Sequence, residues 1–410
     1  MKKRCSLAAA MLCLSLLAAY ASAESLSLAD ALRSALHNHP DLQAYSLKGQ
    51  VATAEIATAE LGPPAQINLE IENLAHSKTS DTVELTLTFS SLIERKGQRH
   101  ARKAIATAHQ QRLADEQRVA ALDVLARVNQ AFVELLAAQA RQELAEEAER
   151  VSAAALTAVE RMARAGSVAV TDVLRARVAL EKHRIAKAGA QHKVTAQAQA
   201  LSFAMGAVHE VTRANGDFWS LSTTPPLAEL IVKARNNPDL ELLAADLRVR
   251  DAELTSADLS AKTNVEWQAG VRYLQEADAT ALVFGVSMPL GAASRSRGTV
   301  AKLRAERDIS ALTVVNAEAV MTRRVRQMYS AYIQAFTEAT AIRGQVLPLI
   351  EEWVKEATSN NRQGRLDALS VLQAQQELID ARASLIESTL AAHLALIELD
   401  RLTASLEAIP

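Results

Sequence analysis

Aromatic residues are scarce in this chain: 6 Phe, 5 Tyr and 3 Trp in 410 residues, or 3%. A conventional globular core leans on aromatic bulk, so a core of this composition has to be assembled in another way. Cysteine is nearly missing. Cys5 and Cys13 both fall in the first 23 residues, which read as a secretory signal, so the mature chain has no disulfide and no thiol chemistry. An excess of charge is also lacking: 45 Lys and Arg face 47 Asp and Glu, a net charge of −2, which argues against a nucleic-acid partner. Past the signal there is no uninterrupted apolar run of ~18 residues, which excludes a transmembrane helix. Glycine and proline are absent from Gln98 to Ala165. That absence excludes a turn and leaves one helix of roughly 100 Å at 1.5 Å per residue.

Alanine is what the chain has in quantity, and alanine suits helices that pack closely. Leu122, Leu125, Val128, Phe132 and Leu136 recur at helical spacing as a narrow apolar stripe. The turn-like Gly166-Ser167 follows, and a second helical pattern begins after Thr171-Asp172, so the chain forms a very long helical hairpin with its tip near Gly166. The signal, residues 1–23, has Lys2, Lys3 and Arg4, an apolar run from Leu7 to Ala19, and Ala21-Ser22-Ala23 before a cleavage site at Glu24. The run is too short for a membrane anchor, and bulky Leu12 before Cys13 does not suit a lipid-attachment cysteine. An exported chain that needs no disulfide fits a bacterial envelope.

From Ser27, an N-cap, to Glu60 the pattern is helical, interrupted at Asn38-His39-Pro40. The period then changes to two. Ile67-Asn68-Leu69-Glu70-Ile71-Glu72 alternates strictly, and Val83, Leu85, Leu87 and Phe89 alternate with Glu84, Thr86, Thr88 and Ser90. Ala75 to Ser80 reads as the hairpin loop between two strands, each of a length that crosses a bilayer when tilted. All of this recurs. Asn38-His39-Pro40-Asp41-Leu42 returns as Asn236-Asn237-Pro238-Asp239-Leu240, and the same offset of 198 carries Gly166 to Gly364 and Val173-Leu174 to Val371-Leu372. A duplication explains the constant offset. The expected divisions are residues 24–215, with strands about 65–74 and 81–90; a linker, 216–226, containing Pro225-Pro226; and residues 227–410, with strands about 264–273 and 281–289. Pro348 stands inside the second long helix and should kink it.

Four strands cannot close a barrel, and an open sheet edge in lipid leaves backbone groups unpaired. Closure therefore calls for a cyclic oligomer. Val83, Leu85, Leu87 and Phe89 would face lipid, and Asn68, Glu70, Glu84 and Thr86 a wet lumen. An arginine in place of Leu85 should then be costly, and one in place of Thr86 much less so. A soluble two-stranded hairpin is the alternative, but it would be marginal alone.

These residues carry a resemblance. The duplication, the Pro-Asp-Leu of the first helix, the paired strands and the tips Gly166 to Leu174 and Gly364 to Leu372 resemble the TolC-type outer-membrane efflux proteins along nearly the whole mature chain. Ser91-Leu92-Ile93-Glu94-Arg95-Lys96-Gly97-Gln98-Arg99 looks like the strand-to-helix junction of the heavy-metal, CzcC-type branch. Val286 to Leu290 and Arg295 to Gly298 look like its second copy. The resemblance implies a mainly α protein with a small β part: a homotrimer with an outer-membrane β-barrel continued by a periplasmic α-helical barrel. It also implies a conduit that catalyses nothing, set in the outer-membrane lipid of a Gram-negative cell. Its partners would be a periplasmic membrane-fusion adaptor and an inner-membrane pump of the RND type. The family places acidic residues at a periplasmic constriction near the tips. Here the gate residues so implied are Gly166 and Asp172 at one turn and Gly364, Arg365 and Asp367 at the other. The second turn departs from the pattern, with Ser370, Gln373 and Asn361 where acids and a tyrosine are expected. Asp172 also suits an ordinary helix N-terminus, favoured by the helix dipole.

No pair among the nine histidines has H-x-x-x-H spacing, and His37 and His39 read as a solvated helix end, so neither a metal site nor a cofactor is expected in the chain itself. Nucleotide-binding loops, nucleophile elbows and zinc-protease motifs are absent. A periplasmic coiled-coil scaffold would account for the helices but not for the alternating strands. Metal cations, drugs and secreted polypeptides remain open as cargo.

Overall fold

The computed structural model describes residues 26–73, 83–207, 211–275, 277–363 and 368–404. The signal sequence, the expected loop at Ala75 to Ser80, and Gly364, Arg365 and Asp367 lie outside the described residues. The chain divides into two compact units.

The first unit comprises residues 1–42, 121–234 and 322–410. Ser27 caps α1 (Leu28–Asn38), its hydroxyl accepting from the Asp30 N–H. His39 separates α1 from α2 (Pro40–Ala59), and its Nδ1 accepts from the Asp41 N–H at 3.2 Å. The corresponding Asn237 of the second copy accepts from the Asp239 N–H through its side-chain oxygen at 2.8 Å, so histidine stands in for a capping asparagine. The long hairpin consists of α3 (Gln98–Arg164), an unbroken helix of 67 residues, and α4 (Val170–Ala204). The expected stripe of α3 is buried, but so are Val124, Val133, Leu135 and Ala137, so the middle of the helix is covered on more than one side. The apolar surface is wider than a narrow stripe because α1, α4 and α9 (Ala368–Leu402) all supply residues to this core, among them Leu32, Leu201 and Ile386. Alanines at 0–1% exposure, Ala137, Ala138 and Ala392, allow close helix approach in place of aromatic bulk.

Two features of this unit have no periodic signature. Strand β1 (Leu26–Ser27) pairs in parallel with β4 (Ala214–Asn215). The buried Gln139 amide completes the bridge like a strand partner, donating to the Ala214 carbonyl at 3.1 Å and accepting from its N–H at 2.8 Å. The segment between β4 and the next helix, residues 216–226, is strapped down by its backbone carbonyls. His393 Nε2 donates to Phe218 O at 2.9 Å, Arg343 donates to Trp219 O at 2.7 Å, and the Tyr332 hydroxyl donates to Ser222 O. Burial lowers the His393 pKa, which favours the neutral ring in this role. After the strap comes α5 (Leu227–Ala234). Near Pro348 the long helix α7 (Ala292–Ala341) passes through one π-helical stretch, Ile342–Val346, into α8 (Leu347–Arg362). A proline lacks the N–H for its helical bond and crowds the carbonyl four residues earlier, here Gly344, and the widened turn absorbs both defects.

The second unit comprises residues 43–120 and 235–321. It holds α6 (Pro238–Ser260) and a four-stranded antiparallel sheet of β2 (Gln66–Glu72), β3 (Glu84–Ile93), β5 (Val265–Leu274) and β6 (Ala279–Ser287). The strands lie in the order β2-β3-β5-β6, so the two copies meet at the β3–β5 pair, and β2 and β6 are open edges. Both chain reversals from strand to long helix use a glycine at positive φ, Gly97 at 101° and Gly291 at 77°. At the first, the Arg102 guanidinium binds both Glu94 carboxylate oxygens and donates to the Leu61 carbonyl at 2.9 Å. Gln98 donates to the Leu259 carbonyl at 3.1 Å, tying the base of α3 to the end of α6.

Candidate functional site

The period-two pattern sets two unlike faces on the sheet. Pairing in register forms cross-strand rows: Ile71, Leu85 and Tyr273; Leu69, Leu87, Val271 and Leu282; Ile67, Phe89, Ala269 and Phe284; Trp267 and Val286. These apolar side chains are exposed, Ile67 at 74%, Leu87 at 47% and Phe284 at 75%, the reverse of a water-soluble sheet. Trp267 lies at the helix end of this face, 5.7 Å from the Phe89 ring, and Tyr273 lies six residues further along β5 at the hairpin end, roughly 20 Å away.

The other face is polar, with Asn68, Glu70, Glu84 and Thr86 on it as the alternation expects. Arg272, which sequence reasoning did not single out, is on this face near its hairpin end. Its guanidinium donates to Thr86 Oγ1 at 2.9 Å and to Glu84 Oε2 at 3.1 Å, and lies 3.9 Å from Glu72 Oε2. Thr86 is only 3% exposed beneath it. This changes the expectation for Thr86: an arginine there would meet the Arg272 guanidinium and lose its acceptor, so the site is not tolerant. Arg272 was legible in principle, because it stands in the polar phase of the β5 alternation between Val271 and Tyr273.

At the first tip, Gly166 ends α3 in the left-handed region, φ 73°, with a pair of bonds typical of a glycine-terminated helix: Gly166 N–H to Ala163 O and Ser167 N–H to Met162 O, each 3.0 Å. Asp172 is in the first turn of α4, half-buried, and its nearest cation is Arg175 of the same helix at 3.7 Å. Such a carboxylate is favoured by the helix dipole. Behind the tip, α3, α8 and α9 line a groove of about 600 Å³ whose walls include Ala155, Ala158, Met162, Val371 and Leu372. Small side chains leave the helix packing open there.

Among the described residues, no group of three or more His, Cys, Asp or Glu side chains is placed to hold a metal ion. No described helix is long and apolar enough to cross a membrane, which says nothing of strands.

Residues 31–207 match the family model described as outer membrane efflux protein. The chain is 25% identical over 364 residues to the cobalt-zinc-cadmium resistance protein CzcC of Cupriavidus metallidurans, covering 88% of this chain and 86% of that protein. Among solved structures, CusC superposes with a TM-score of 0.78 at 18% identity, over 92% of this chain and 91% of CusC. The outer membrane protein VceC of Vibrio cholerae superposes with a TM-score of 0.74 at 16% identity, over 92% and 95%.

Proposed function

We propose that this chain, an outer-membrane efflux protein by family and by fold, is the outer-membrane conduit of a tripartite export system whose cargo is heavy-metal cations. The observation that carries the reading is the sheet: its exposed apolar face, its polar face and its two unpaired edges together suit a segment of a barrel in lipid. Three copies would supply twelve strands, pairing β6 of each with β2 of the next. The helices would continue the conduit into the periplasm, and the tips would meet an adaptor and an RND-type pump. The CzcC likeness supports the metal assignment. Within this reading, the expected divisions at 1–23, 24–215, 216–226 and 227–410 are a leader, two repeats and their link. Asp172 of three copies would ring the narrow end, with Gly166 as the turn that positions it. Gly364, Arg365 and Asp367 would form the opposing turn.

Deleting the gene should raise sensitivity to cobalt, zinc or cadmium and increase their retention by the cell. Sensitivity to drugs alone, or loss of a secreted polypeptide, would reassign the cargo. Extraction of the native protein from membranes by salt without detergent would return it to the scaffold class. Asp172→Ala should lower the cation preference of single channels in planar bilayers; unchanged selectivity would leave Asp172 a helix-terminal residue only.

A further inference from the structure

The polar face of the sheet has an unequal charge inventory. Within the four strands it holds the carboxylates of Glu70, Glu72, Glu84 and Glu266, and a single cationic side chain, Arg272. Arg272 is not free to move along that face. One nitrogen is fixed on Thr86, a second on Glu84 and a third near Glu72, so the side chain on β5 reaches across β3 to β2. The planar fork suits such multiple docking, and Lys would satisfy only part of it. The clasp lies next to the hairpin end of the sheet, the end opposite the long helices, where the rows Glu72–Glu84–Leu274 and Glu70–Thr86–Arg272 run side by side. Glu70 and Glu266 make no ion pair with a described residue.

We infer that Arg272 is a selectivity-determining residue of the outer mouth. It neutralises part of the carboxylate wall, holding down its preference for inorganic cations, while Glu70 and Glu266 maintain a residual preference. A ring of carboxylates concentrates cations and repels anions, and a fixed guanidinium on the same wall opposes that field locally. The inference rests on the proposed function, because it needs the polar face to line a water-filled lumen closed by further copies.

The full mature protein, reconstituted in planar lipid bilayers under a potassium chloride gradient, tests it through the reversal potential. Arg272→Gln should raise the cation-over-anion permeability ratio by about twofold or more, since it frees two carboxylates per chain. Glu84→Gln should move the ratio the opposite way, and Glu70→Gln with Glu266→Gln further still. Arg272→Lys should remain near the parent value, because the charge is kept. The opposite signs guard against a variant that merely assembles poorly, and Arg272→Met, a second neutral variant, decides the matter if Arg272→Gln does not assemble. Channels whose reversal potential is the same in all variants would overturn the role of Arg272 and leave the conduit standing. A parent protein that inserts in the bilayer yet conducts nothing would overturn the conduit reading, and this inference with it.

Discussion

Single residues separate two kinds of constraint. Gly166 and Gly206 both end helices at positive φ, 73° and 62°. A Cβ on Gly166 would meet nothing within 4 Å, whereas one on Gly206 would lie 2.8 Å from Pro40 Cδ and 3.2 Å from His39 Cα. Gly166→Ala should therefore cost only the conformational term, about 1 kcal/mol. Gly206→Ala should add an overpacking term of about 1–3 kcal/mol, because backbone cannot yield as a flexible side chain does. Chemical denaturation of the two variants checks the order. Asp400 makes a pH prediction. Burial pushes its carboxyl up from 3.8 to about 6, against the attraction of Lys233. The folded state then holds the proton more tightly than the unfolded one, so stability falls as pH rises between these values. The loss is complete above the folded pKa and reaches about 3 kcal/mol at most. Asp400→Asn should raise the thermal midpoint at pH 7 and leave it nearly unchanged at pH 4.

At the scale of elements, the sheet faces carry the sharpest expectation. Leu85 is on the exposed apolar face, and Leu85→Arg should cost about 2–4 kcal/mol if it meets lipid near the midplane. Asn68→Arg, on the polar face, should cost far less; urea-dependent folding into lipid vesicles measures both. Equal costs would contradict the face assignment. These strands were readable because Ile67 to Glu72 in β2 and Glu84 to Ser90 in β3 alternate strictly, and a period of two survives without knowledge of partners. The order β2-β3-β5-β6 was not readable, since nothing local tells β3 that its second neighbour lies in the other copy. The bridge between β1 and β4 was hidden for a related reason: two residues have no period, and Ala214 is also held by two hydrogen bonds from the distant Gln139 amide. Pro348 was visible as a defect in a helix, but the outcome was a π-helical stretch ahead of it, which depends on how neighbouring turns share the strain.

For the whole molecule, the duplication was legible from a constant offset, and it exposes divergence as well as likeness: His39 and Asn237 cap equivalent helices with different chemistry. Of the proposed tip residues, Gly166 and Asp172 have the geometry of a turn and a helix start, which sequence could state, while their role depends on neighbouring copies that no single sequence displays. Sedimentation or native mass spectrometry in detergent should find a trimer; a monomer with its strands intact would break the argument from closure. The two unpaired edges have a further consequence in time rather than in space. On the proposed trimer, each chain would offer two hydrogen-bonding templates beside a broad apolar face until its neighbours arrive, the combination that seeds aggregation. Productive assembly and misassembly then compete for the same edges, and both accelerate with the supply of chains. The yield of working protein should accordingly pass through a maximum as synthesis increases, with surplus chains lost to aggregates or to periplasmic proteases.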